Sequence, residues 1–238
     1  TYNITSGKLP AAATGSVTVK LNTSMVMLPK EPMQPRLADE RVGFFQNPVT
    51  EFSDEQQVTS RGAIIQRYRL EPKDPERYRR GQLTEPKHPI VYYIDPATPK
   101  KWIPYLKAGV NDWNVAFEAA GFKNAIIAKE WPDDSTMSLD DARYSVLRYL
   151  PSETENAYGP RIVDPRSGEI MESHICWYHN VMNLLKKWYM VQCGPLDKRA
   201  QSMTFDDKLM GTLIQFVSSH EVGHTLGLRH NMAASSAT

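Results

Sequence analysis

Residues 220–230 read HEVGHTLGLRH. His220 and His224 are four positions apart, so on a helix both side chains project from one face and both imidazoles can bind one metal ion. Glu221 follows the first histidine, where a carboxylate can take a proton from a water that the metal activates. The pattern predicts a metal-binding helix with a general base beside the metal.

Gly227 and His230 complete the pattern. Gly227 can adopt a positive φ without a Cβ clash, so it can end the helix and return His230 to the metal as a third ligand. Three neutral imidazoles with an open fourth position are typical of catalytic Zn²⁺, whereas structural zinc is usually closed by four protein ligands, mostly thiolates. We therefore expect one catalytic zinc ion and hydrolysis of an amide bond.

Chance is a poor explanation of this motif, because its five fixed positions should arise on the order of 10⁻⁵ times in a chain of this length. Two other interpretations stay open. The histidines could be hydrogen-bonded core residues on a buried helix, or the zinc site could persist after activity was lost. The intact Glu221 favours an active enzyme.

The composition is that of an ordinary globular protein. The chain has 238 residues, of which 41% are hydrophobic and 23% charged, which argues against a disordered or fibrous chain. The 28 Lys and Arg against 27 Asp and Glu give a net charge of +1, so the overall charge predicts no nucleic-acid partner. No stretch approaches the roughly 18 uninterrupted apolar residues of a membrane-spanning helix.

Short alternating apolar runs predict strands in the first third of the chain, at residues 16–21 and 63–70. A Pro-rich stretch follows at residues 71–89 and predicts a solvated linker. Its basic cluster consists of Arg77, Arg79 and Arg80. We expect that cluster to be a solvated surface rather than a binding patch.

Runs of strand-forming residues and turn signals predict further strands in the rest of the chain. They lie at residues 90–94, 125–128, 144–149 and 169–177, the last after a turn at residues 164–168. Three- and four-residue periodicity predicts helices at residues 99–120 and 179–192, with Gly121 and Gly194 as their stops. A third helix, capped by Asp206 or Asp207, carries the metal-binding histidines.

Three stretches of the chain carry a resemblance to a known family. They are RLADERVGFF at residues 36–45, DPRSGEI at residues 164–170 and the motif through residue 231. The unbroken His-Glu-x-x-His-x-x-Gly-x-x-His signature is that of the metzincin zinc endopeptidases. Together the three stretches resemble the large secreted zinc-dependent metalloproteases of Bacteroidetes-type bacteria.

The resemblance implies zinc bound by His220, His224 and His230, with Glu221 as the general base. It also implies a mixed sheet whose antiparallel edge strand lines the cleft and binds the substrate backbone in extended form. By order in the chain, we assign that strand to residues 169–177.

Metzincins also carry a methionine turn beneath the zinc, well downstream of the third histidine. Met232 is too close to His230 for that role, so we expect the lower part of the cleft to come from residues beyond the sequence. The resemblance thus implies an α+β fold, with a β-rich N-terminal segment and linker at residues 1–86. A metzincin-like catalytic domain with a twisted mixed sheet, truncated after the third ligand, follows at residues 87–238.

The function expected is that of a zinc-dependent endopeptidase acting on a peptide or protein substrate, secreted, periplasmic or on the surface of a bacterial cell. An alternative from another class is a binding or adhesion module of a surface protein with a vestigial or structural zinc site. A zinc hydrolase acting on a non-peptide amide also stays open.

The two cysteines, Cys176 and Cys193, are too few for a disulfide scaffold and too far apart for a paired-thiolate zinc clip. A disulfide and two free thiols both stay open. Metzincin zymogens are often silenced by an upstream Cys or Asp on the metal. No cysteine precedes Cys176, which excludes a thiolate switch from the visible N-terminal part.

The remaining histidines and acidic pairs carry weaker signals. His88 in the linker is expected to be solvated, whereas His174 and His179 flank the assigned edge strand, where packing is a commoner role than substrate contact. The acidic pairs at residues 133–134 and 140–141 match no calcium-loop spacing. We therefore expect solvated acidic loops there rather than calcium ligands.

Overall fold

The computed structural model of the protein describes residues 22–232. The strands are β1 (Gln46–Glu51), β2 (Ser60–Ile65), β3 (Ile90–Ile94), β4 (Ile126–Glu130), β5 (Ser145–Leu150), β6 (Ala157–Tyr158), β7 (Arg161–Val163), β8 (Ile170–Ser173) and β9 (Ile175–Tyr178). The α-helices are α1 (Pro75–Arg79), α2 (Ile103–Asn111), α3 (Asn114–Ala119), α4 (Val181–Cys193) and α5 (Asp207–Thr225). The strand predicted at residues 16–21 lies outside the described residues.

A five-stranded mixed sheet forms the centre of the fold, in the order β4-β3-β5-β9-β6. β3 pairs in parallel with β4 and β5, and β5 pairs in parallel with β9. β6 lies at the edge and pairs antiparallel with β9. The mixed sheet expected from the sequence is therefore observed.

The strand β3 shows how the sequence builds the core. Ile90, Tyr92 and Ile94 alternate along it and are buried, whereas the residues between them are partly exposed. They join one apolar cluster with residues of α2 and α5, namely Leu106, Val110, Ile214 and Val222. The strand predicted at residues 90–94 is confirmed, and those at 125–128 and 144–149 are confirmed with shifts of one or two residues at their ends.

Residues 169–177, predicted as one strand, form two strands in different sheets, so this prediction is wrong. β8 pairs antiparallel with β7, and β9 joins the central sheet. The His174 N–H still bonds to the Pro160 carbonyl (3.0 Å) in the register of the β7–β8 pair, and from Ile175 onward the chain pairs with β5 instead. The turn predicted at residues 164–168 is observed, and Gly168 adopts a φ of 73° there.

The single helix predicted at residues 99–120 is two helices, α2 and α3, interrupted at residues 112–113. The asparagines on either side of the break bond to the backbone of the β4 region. The side-chain oxygen of Asn111 accepts from the Ala128 N–H (3.1 Å), and that of Asn114 accepts from the Ala125 N–H (3.1 Å). These bonds fix the break, and hydrophobic periodicity carries no information about them.

The helices predicted at the C-terminal side are confirmed. α4 begins two residues later than predicted and is followed by Gly194 as its C-cap. Asp206 caps α5, and its carboxylate accepts from the Leu209 N–H (2.8 Å). Asp207 is the first residue of the helix and pairs with Lys101 (2.7 Å).

Helices α2 and α5 touch backbone to backbone at Gly109. A Cβ at this position would lie 2.5 Å from the carbonyl oxygen of Gln215 and 2.6 Å from the Cβ of Ser218. The Ser218 hydroxyl donates to the Leu106 carbonyl (3.0 Å) across the same contact. This close approach holds α5, and with it the histidine motif, against the rest of the core.

We expect Gly109→Val to lower the free energy of unfolding by about 2–4 kcal/mol, because a side chain there forces the two helices apart. Denaturant-induced unfolding measures the change. Gly62→Val is the matched control, since a Cβ at Gly62 in β2 meets nothing within 4 Å. Equal stability of the two variants would contradict the close contact.

In the N-terminal part of the described chain, an irregular segment at residues 22–45 precedes the β1–β2 hairpin. Of the strand predicted at residues 63–70, β2 includes only residues 63–65, and Arg67 continues as an isolated parallel bridge to Glu169. The predicted linker at residues 71–89 contains α1, capped by Asp74, and its three clustered arginines are exposed. The domain boundary between residues 86 and 87 stays a prediction.

Within residues 22–232, no helix combines the length and apolar character that crossing a membrane requires.

Candidate metal centre

The C-terminal half of α5 presents two histidines on one side and packs into the core with the other. Val217 and Val222 are buried, which fixes the rotation of the helix. His220 and His224 lie one turn apart with ring centroids separated by 4.6 Å. The spacing of the motif therefore places the two imidazoles together as predicted.

A glycine turn brings the third histidine back. Gly227 has a φ of 102°, its N–H bonds to the His224 carbonyl (3.0 Å), and the Leu228 N–H bonds to the Gly223 carbonyl (3.0 Å). These two bonds form a Schellman motif, which ends a helix with a glycine in the left-handed region. The chain then places His230 beside the first two histidines.

The three imidazoles converge through their Nε2 atoms. The Nε2 atom of His230 lies 3.1 Å from that of His220 and 3.0 Å from that of His224. Within residues 22–232 this is the one group of three His, Cys, Asp or Glu side chains that the structure brings close enough to share an ion. A metal-binding site is therefore supported.

The distances fit a tetrahedral zinc ion. Zn–N bonds of about 2.0–2.1 Å at tetrahedral angles place two ligand nitrogens about 3.3–3.4 Å apart, close to the observed separations. Lone pairs that point at one another repel, and a shared cation removes that repulsion. The donor set of three imidazoles suits Zn²⁺, although other divalent transition metals also bind such ligands.

Contacts around the ligands favour the metal-binding form of the imidazoles. The Nδ1–H of His224 donates to the Leu228 carbonyl (2.8 Å), so its Nε2 atom carries the lone pair. Burial lowers the pKa of His220, and the two neighbouring imidazoles act in the same direction. The neutral imidazole, which is the metal-binding form, is thereby favoured.

Glu221 lies beside the three histidines and points into the same cleft. Glu221 is buried, with only 7% of its surface exposed. Burial raises the pKa of its carboxyl group to about 7, and the electrostatic effect of the nearby His230 imidazole acts in the opposite direction. A carboxyl group tuned in this way can both accept and return a proton near neutral pH.

Two hollows, or surface cavities, are each lined by all three histidines. One has a volume of about 710 Å³ and the other about 400 Å³. The larger hollow has an apolar wall built by α4 and α5, from Val181, Leu184, Leu185, Trp188, Phe216 and Val217. The smaller hollow reaches Trp113 and Met232. The cleft therefore extends on more than one side of the candidate metal site.

The strand that lines the larger hollow is β6, not the segment assigned from the sequence. Ala157 and Tyr158 pair antiparallel with Trp177 and Cys176 of β9 and form the free edge of the central sheet. The assignment of the edge strand to residues 169–177 is wrong. A strand of two residues has no periodicity, and order along the chain cannot separate it from its neighbours.

Residues 202–238 match a family model described as Met-zincin. Residues 1–73 match a domain of unknown function (DUF5117). No curated protein and no solved structure matches the chain. The Met-zincin match and the three converging histidines together support a metzincin-type family and a metal-binding metallopeptidase motif.

Sequence reasoning missed three residues that surround the motif. Arg161, Phe45 and Gln66 contact the end of α5 or each other, and the first two line the larger hollow. Phe45 presents its ring to His224 at a centroid distance of 6.0 Å. Phe45 lies within the stretch that carried the family resemblance, but no spacing rule links these positions to the histidines.

The other histidines weighed from the sequence line neither of the two hollows. His179 bonds to the Tyr149 hydroxyl through Nδ1 (2.7 Å), and His174 contacts the carboxylate of Glu172. His88 is exposed.

The aspartates of the predicted acidic loops bond to side chains or backbone groups close to them in sequence. Asp134 accepts from Thr136, Asp141 from Arg143 and Asp140 from Arg148. Cys176 and Cys193 are free thiols rather than a disulfide.

Proposed function

We propose that the protein is a zinc-dependent endopeptidase. The observation that carries this proposal is the convergence of the Nε2 atoms of His220, His224 and His230 beside the buried carboxyl group of Glu221. His220, His224 and His230 would hold the ion. When bound, zinc supplies a Lewis acid that lowers the pKa of water and polarises the substrate carbonyl.

Glu221 performs the proton transfers in this proposal. Its carboxylate accepts a proton from the attacking water as the new C–O bond forms. The same carboxyl group then delivers that proton to the amide nitrogen as the C–N bond breaks. The position of this buried carboxyl group beside the three histidines supports both steps, because it lies next to the place where zinc would activate the water.

The shape of the cleft supports a peptide as substrate and cleavage within a chain. The free edge of β6 can bond to an extended backbone, which is the way peptides add to a sheet edge. The apolar wall of the larger hollow can receive a side chain, and the second hollow leaves room on another side of the histidines. The resemblance to secreted bacterial metalloproteases supports a location outside the cytoplasm.

Metal removal tests the proposal directly. We expect a strong chelator to abolish cleavage of an unstructured protein substrate and stoichiometric zinc to restore it. His224→Ala removes one of three ligands, so it should show neither zinc binding nor activity. His179→Ala is the control, because that ring bonds to Tyr149 outside the cleft and should retain both. Zinc binding without any hydrolysis of peptides would contradict the proposal and favour a structural or vestigial site.

A further inference from the structure

The loop that leads to the third histidine, residues 227–229, is bound by residues 43–45 from the N-terminal part of the described chain. The Phe45 N–H donates to the Gly227 carbonyl (2.7 Å), and the Arg229 N–H donates to the Gly43 carbonyl (2.8 Å). Phe44 and Leu228 form an antiparallel bridge between these bonds. The segment at residues 43–45 therefore lies as a short strand along the loop at residues 227–229.

Arg161 joins this strand to the end of α5. Its Nη1 atom donates to the His224 carbonyl (3.1 Å), and its Nε atom donates to the side-chain oxygen of Gln66 (2.6 Å). The guanidinium carbon lies 3.9 Å from the centre of the Phe45 ring. The Gln66 N–H in turn donates to the Phe45 carbonyl (2.8 Å). One side chain thus touches the backbone of a metal ligand, an amide and an aromatic ring.

The partners of Arg161 differ from those of several other arginines in the protein. Arg143, Arg166 and Arg199 each form an ion pair with an aspartate two positions away. Within residues 22–232, no carboxylate lies within ion-pair distance of Arg161. Its charge is instead placed at the carbonyl end of a helix and over an aromatic face, two environments that stabilise a cation.

We propose that Arg161 is a positioning residue of the metal centre. This proposal rests on the proposed function, because it requires that the three histidines bind zinc. Arg161 donates a hydrogen bond to the carbonyl of His224 and stacks on the Phe45 ring, which packs against the His224 ring. It thereby holds the His224 backbone and ring, together with the third-ligand loop that the strand at residues 43–45 supports. Loss of these contacts leaves the ligands in place but less well oriented.

The planar fork of the guanidinium is what the role requires. It donates along two fixed directions, to the His224 carbonyl and to Gln66, while its face stacks on Phe45. A lysine retains the charge but cannot reproduce both bonds and the stacking. A methionine retains most of the length and loses the charge and both donors.

The test measures metal binding rather than activity. Co²⁺ is titrated into metal-free protein in competition with a chelator, and its visible spectrum reports the geometry of the ligands. We expect Arg161→Met to weaken Co²⁺ binding by about 10–100-fold and to alter the spectrum, as outer-shell substitutions do. Arg161→Lys should recover part of the affinity. Arg143→Met, which removes an exposed arginine paired with Asp141, should bind as the unaltered protein does.

The outcomes separate the two proposals. Absence of Co²⁺ binding by the unaltered protein would overturn the proposed function itself. Unaltered affinity and spectrum in Arg161→Met, with or without lower stability, would overturn the positioning role alone. If Arg161→Met fails to fold, Phe45→Leu replaces it, since this variant removes the ring that contacts His224 and keeps an apolar side chain. A several-fold loss of Co²⁺ affinity supports the role, and unchanged affinity contradicts it.

Discussion

Glu221→Gln should retain zinc and lose peptide hydrolysis. Glutamine has nearly the same shape as glutamate, but it has no carboxylate to accept a proton from water. We expect the turnover number to fall by a factor of about 10²–10⁴, which is the range that general acid–base catalysis contributes. Zinc content by elemental analysis should stay at one ion per chain, because the three histidines are untouched.

A matched control for this substitution is Glu172→Gln. Glu172 is also a buried glutamate, but it bonds to His174 and is absent from the residues that line the cleft. It should retain turnover of the same peptide. Unchanged turnover in Glu221→Gln would contradict the role of Glu221, and loss of zinc from that variant would place the residue among the ligands instead.

Gly227→Ala should both destabilise the protein and weaken its metal binding. The residue has a φ of 102°, and a Cβ there would lie 2.2 Å from the carbonyl oxygen of Gln66. Backbone strain and overpacking together should lower the free energy of unfolding by about 2–5 kcal/mol. The loop must move away from Gln66, which displaces His230, so zinc affinity should fall as well.

Gly81→Ala separates the two causes. Gly81 has a φ of 70°, and a Cβ there meets nothing within 4 Å. The Gly81→Ala variant therefore has the backbone strain of a positive φ but no steric clash. Denaturant unfolding and zinc competition are measured for both variants. If Gly227→Ala matched Gly81→Ala in stability and kept the zinc affinity of the unaltered protein, the contact with Gln66 would have no importance for the site.

The parts of the fold that the sequence predicted are those built by local rules. The run IVYYI at residues 90–94, ended by Asp95 and Pro96, predicted β3, and the spacing of His220 and His224 predicted their common face on a helix. Gly227 was predicted as a turn because few other residues adopt its backbone conformation. Each of these signals lies within a few positions along the chain.

The parts that were missed depend on contacts between distant segments. The helix break between α2 and α3 is fixed by asparagine side chains that bond to the β4 region. The edge strand is only two residues long and is defined by its partner in β9. Arg161 contacts the site through a carbonyl and a side-chain amide, and neither contact leaves a periodic signal in the sequence.

The pairing of residues 43–45 with residues 227–229 also determines when the site can form during folding. Contacts between segments so far apart in sequence require the closure of a long loop, and such contacts form slowly. Strands β3 and β4 and the helices between them involve much shorter separations and can associate earlier. The third ligand is held in place only after the early and late parts of the chain have met. We therefore expect the three-histidine geometry to be completed after the β3–β4 unit has formed.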